Sequence, residues 1–130
     1  MDALRAEIER NLEMADAAKT LIGRERDMLQ GEVRERIVLH TFHTDAWHAL
    51  VNAGRMDELG DAEEDVSRCY MYLDEVNEVV DWFEQYGNRR AFLPLVPGGA
   101  DGYGRKEMLQ VLREKYDEAE IKLRDARQAV

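Results

Sequence analysis

A chain of 130 residues, 45% hydrophobic and 35% charged, is one domain's worth of globular protein with a single core. Its formal net charge of −10 at pH 7 argues against nucleic acid or anionic lipid as a main partner, because both repel an acidic surface. No stretch approaches the roughly 20 apolar residues of a membrane-spanning helix, the first residues do not read as a signal peptide, and a single cysteine, Cys69, makes a reducing cytoplasm the expected setting.

From Asp2 to about Leu39 there is no proline, and Leu4, Ile8, Leu12, Ala15, Ile22, Leu29, Val33 and Ile37 recur at threes, fours and sevens. That spacing puts one apolar side on a helix predicted over about 2–39, roughly 50 Å long at 1.5 Å per residue. Gly23 and Gly31 each cost about 1 kcal/mol relative to alanine there, which allows a kink at either. Thr44 or Asp45 is a suitable N-cap for a short second helix, about 45–53, that presents Trp47, Leu50 and Val51 and stops at Gly54. Met56 and Leu59 form a brief turn before Gly60. Asp61, with Glu64 three residues on, has the capping-box pattern for a third helix over about 61–86. Its main stripe is Val66, Cys69, Tyr70, Leu73, Val76, Val80 and Phe83, and a second stripe follows at Tyr72, Val79, Trp82 and Tyr86. Two stripes need two partners, so this helix is predicted to be the centre of the bundle.

Residues 91–104 hold both prolines, Pro94 and Pro97, and four glycines, and read as a loop with Phe92, Leu93, Leu95 and Val96 tucked against the bundle end. A fourth helix, about 105–129, carries Leu109, Leu112, Tyr116, Ala119, Leu123, Ala126 and Val130 at a strict 3-4 spacing, a heptad seam that can pair within or between chains. The fold expected is all-α, an antiparallel helical bundle in one domain, 1–130.

Candidate chemistry is sparse. His40 and His43 would share a helical face and, with His48, offer imidazoles to a transition metal; capping and surface packing is the competing reading. The pairs Glu32-x-x-Glu35 and Glu58-x-x-Asp61 loosely resemble the Glu-x-x-Glu…Glu-x-x-Asp pattern with which all-α nucleoside triphosphate pyrophosphatases hold magnesium, but 28 acidic residues generate such pairs by chance. The glycine-rich run from Gly98 to Lys106 opens a helix, where a phosphate can sit, yet it lacks the P-loop spacing and a preceding strand. Ser67 is the only serine and has no identifiable base, and Cys69 lies on a core stripe. Asn11 and Asn77 border the apolar stripes of their helices. Amides so placed are expected to hydrogen-bond across the bundle interface, and Asn77→Leu to raise the melting temperature while loosening the oligomer.

The segment from Leu39 to Leu59 resembles a pattern in poorly characterised prokaryotic helical proteins, Thr-x-Ala-Trp/Tyr-x-x-Leu-x-x-x-Gly-x-x-x-x-Leu. Those proteins tend to carry Glu-Ile-x-x-Asn-Leu upstream, matched by Glu7, Ile8, Asn11 and Leu12, and a downstream Tyr…Val/Leu-Asn, matched by Tyr70 or Tyr72 with Val76 and Asn77. The resemblance covers about residues 4–85. It implies a long helix, a short tryptophan-bearing helix packed across it and a second long helix pairing back; many such proteins have a membrane helix before this domain. It brings no activity. The reading that results is a non-enzymatic oligomerisation or protein-interaction module, a homodimer favoured, without cofactor. The alternatives are a magnesium-dependent pyrophosphatase-like enzyme using Glu32, Glu35, Glu58 and Asp61, and a metal-binding or sensor protein using His40 and His43.

Overall fold

In a computed structural model, the backbone is described for residues 1–28, 38–87 and 102–130, and side chains for 1–24, 38–85 and 107–130. All regular structure among them is helical: α1 (Asp2–Met28), α2 (Asp45–Asn52), a 3₁₀ turn (Met56–Ala62), α3 (Glu63–Trp82) extended by a π turn (Phe83–Gly87), and α4 (Gly102–Ala129). No described helix is long and apolar enough to cross a membrane. The predicted positions Leu29, Gly31, Val33 and Ile37, the side chain of Tyr86, and the loop over 91–101 with Phe92 to Pro97 lie outside the described residues.

The helix expected to continue to Leu39 is not helical there: residues 38–44 form a strap without regular structure. Thr41, Phe42, His43 and Thr44 are mediocre helix formers. More decisively, the backbone groups of Phe42 and His43 bond to side chains of other helices instead of to the chain four residues away. α4 begins at Gly102, three residues before the predicted start, so 102–104 belong to a helix and not to the loop. α3 proper begins at Glu63, with Ala62 at the N-cap and no side-chain cap, so the Asp61–Glu64 capping box does not form. Gly60 explains this: its φ of 57° and ψ of −128° break the helical path immediately before Asp61.

The core follows the predicted phases closely in α3 and α4. Val66, Cys69, Tyr70, Leu73, Val76, Val80 and Phe83 are buried, as are Leu109, Leu112, Tyr116, Ala119, Leu123 and Ala126. In α1 the buried line is Leu4, Ile8, Asn11, Ala15, Ala18 and Ile22, with Leu12 only partly covered. A strict 4-3-4-3-4 spacing thus admits an asparagine and leaves a leucine at the margin.

The central helix is α4, not α3. α4 packs extensively against both α1 and α3. Its flanks identify the two neighbours. On one side Lys19 of α1 pairs with Asp117 at 2.9 Å and Glu120 at 2.7 Å, and Arg127 faces Glu9 at 3.6 Å. On the other, Lys115 and Lys122 lie 5.9 and 5.4 Å from the ring centre of Tyr72 on α3. The heptad seam of α4 is therefore consumed inside the chain and does not offer an interchain coiled coil. Tyr72, of the second stripe of α3, is thus partly buried beside those two ammonium groups.

Candidate functional site

A buried polar convergence lies where the strap and α2 meet α1 and α3. Glu7, on α1, is 1% exposed and accepts three hydrogen bonds: from the Ala46 N–H at 2.7 Å, the Trp47 N–H at 3.3 Å and the Tyr70 hydroxyl at 2.8 Å. The two amides belong to the first turn of α2, whose unsatisfied N–H groups and positive dipole end favour an anion. Thr44 occupies the N-cap position, as predicted, but its side chain makes no capping bond. A carboxylate 39 residues upstream supplies the cap instead.

Four residues along α1, Asn11 bonds the backbone of His43 in both directions: its Nδ2 donates to the carbonyl at 2.8 Å and its Oδ1 accepts from the N–H at 2.9 Å. Asn77, on α3, does the same to the adjacent residue, accepting from the Phe42 N–H at 2.7 Å and donating to the Phe42 carbonyl at 3.1 Å. Each amide thus stands in for a neighbouring β-strand. A backbone outside a helix lacks the bonds a helix makes to itself, so it needs such partners when Leu39 and Phe42 carry it into the core. The expected bonds of Asn11 and Asn77 do form, but to the strap, not between helix faces.

Aromatic packing completes the unit. Phe42 meets Tyr116 at 5.5 Å between ring centres, tilted by 57°, and the Tyr116 hydroxyl makes a long 3.5 Å contact with the His40 carbonyl. Trp47 stacks on Tyr70 at 5.1 Å and 12°. α2 then ends in a Schellman-type stop. Gly54, at φ 67°, donates to the Val51 carbonyl at 3.0 Å, and Arg55 to the Leu50 carbonyl at 3.1 Å.

Among the described residues, the candidate metal-ligating side chains do not assemble. His40 and His43 sit on the non-helical strap and so do not share a helical face; they and His48 are exposed. Glu58 is exposed and pairs with Arg55 at 2.8 Å, and Asp61 is exposed beyond the Gly60 break. Glu32 and Glu35 lie outside the described residues, as do the side chains of the glycine-rich run, of which Gly102 and Gly104 are already helical. Among the described residues no three His, Cys, Asp or Glu side chains come together as a metal site. Burial pushes the Cys69 thiol up to about 12, which keeps it protonated and a poor nucleophile. Burial first, and the Glu7 hydrogen bond second, raise Tyr70 well above the usual phenol range; burial alone raises Tyr116.

The apolar surface shows one further feature. A groove of about 310 Å³ runs between the end of α3 and the start of α4, lined by Val79, Trp82, Phe83, Met108 and Val111 with Glu107 at its edge. Trp82 is 52% exposed and Val111 46%. The π turn that follows Trp82 buries Phe83 completely.

Asn11 and Asn77 are legible in the sequence as amides beside apolar stripes, but their convergence with Glu7 on the strap and α2 is not. Glu7 enters the sequence reading only through the Glu-Ile-x-x-Asn-Leu resemblance, because a lone glutamate in an acidic helix carries no periodic signal. The signal available was its i, i+4 spacing to Asn11, which puts both on the line of Leu4, Ile8 and Ala15. Comparison with protein-family models, curated proteins and solved structures finds no match to this chain.

Proposed function

We propose that the helices form an antiparallel bundle acting without catalysis as an oligomerisation or protein-interaction module, with a homodimer as the favoured assembly. The observation that carries this reading is the apolar groove between α3 and α4, with Trp82 and Val111 about half exposed beside it. Large apolar side chains grouped on one surface are the mark of a protein-contact site. The polar convergence around Glu7, by contrast, is buried, and both of its carboxylate oxygens already accept structural bonds.

The bundle part of the reading rests on contacts that pair low numbers with high. Arg5 reaches the carbonyl of Val130 at 2.9 Å, and Lys19 reaches Asp117. The resemblance to prokaryotic helical proteins is best taken as a folding signature, since Glu7, Asn11, Trp47, Gly54, Tyr70 and Asn77 all belong to the strap unit or its stop. A reducing cytoplasm suits a chain with one buried thiol.

Light scattering over a hundredfold range of concentration is the test. A mass of two chains that falls to one in Val111→Glu, with helical circular dichroism unchanged, supports the reading. A monomer throughout removes the homodimer and leaves only a heterologous partner.

A further inference from the structure

We draw no further inference here: the strongest candidate, the apolar groove between the end of α3 and the start of α4 lined by Val79, Trp82, Phe83, Met108 and Val111, carries nothing beyond the proposed module because nothing in the structure shows what covers it.

Discussion

Replacing Glu7 by alanine removes, in one step, the acceptor for the Tyr70 hydroxyl and the cap of α2. Tyr70 is fully buried, so its stranded O–H loses a partner that water cannot replace, at about 1–3 kcal/mol. Loss of an N-cap adds about 1 kcal/mol. A total near 3 kcal/mol is a large share of the roughly 5–15 kcal/mol that holds a domain together. It corresponds to a fall in Tm of about 10 °C at this chain length. Urea unfolding followed by helical circular dichroism and by tryptophan fluorescence measures the cost, because Trp47 stacks on Tyr70 within the same unit. Tyr70→Phe keeps that stack and deletes only the hydroxyl. Alone it should cost about 1–2 kcal/mol; in the Glu7→Ala background it should cost little, since the hydroxyl there already lacks its acceptor. The double-mutant cycle should therefore show a coupling of at least about 1 kcal/mol. Additive costs, or a Glu7→Ala protein within about 0.5 kcal/mol of the parent at unchanged m-value, would refute the reasoning.

Asn77→Leu should destabilise by about 2–4 kcal/mol in the same assay, reversing the sequence-based expectation of a raised Tm, because it strands both the N–H and the carbonyl of Phe42; a rise in the urea midpoint would contradict the clamp. Gly23→Ala should stabilise by about 0.5–1 kcal/mol, since among the described residues a Cβ there meets the Arg113 Nη1 at an ordinary 3.8 Å. Gly60→Ala should destabilise by about 1–3 kcal/mol and by more than Gly54→Ala, because ψ −128° lies outside the left-handed basin that Gly54 occupies; equal costs at the two sites would count against that backbone path. Stability should fall at alkaline pH. Cys69, Tyr70 and Tyr116 all have folded values raised above the unfolded ones, so their contribution is complete below the unfolded values. It is lost as the unfolded chain releases the thiol proton from about pH 8.5 and the phenol protons from about pH 10, at about 1.4 kcal/mol per pH unit per proton. Urea midpoints measured from pH 7 to 11 check this, and Cys69→Ala should flatten the first part of the decline; a flat profile to pH 11 would show that these groups titrate freely in the folded protein.

What the sequence alone determined was the main buried line of α3 and of α4, whereas Val51, expected on the apolar face of α2, is exposed. The lines through Val66 to Phe83 and Leu109 to Ala126 are buried as their spacing foretells, because side-chain direction on a helix depends only on position along the chain. Gly54 as the stop of α2 was equally legible, since a positive φ is a local demand that glycine meets. The exchange of the central place from α3 to α4 was not legible: both carry enough apolar surface, and which one lies between two neighbours is settled by assembly. Nor was the strap. Whether 38–44 continues a helix depends on acceptors and donors that arrive from Asn11, 32 residues back along the chain, and Asn77, 35 residues ahead. Glu7 caps a helix begun 38 residues later for the same reason. Hydrogen-bond partners for a buried backbone are chosen by proximity in space, so the tertiary structure alone decided that Glu7, among 28 acidic residues, would lie inside and cap α2.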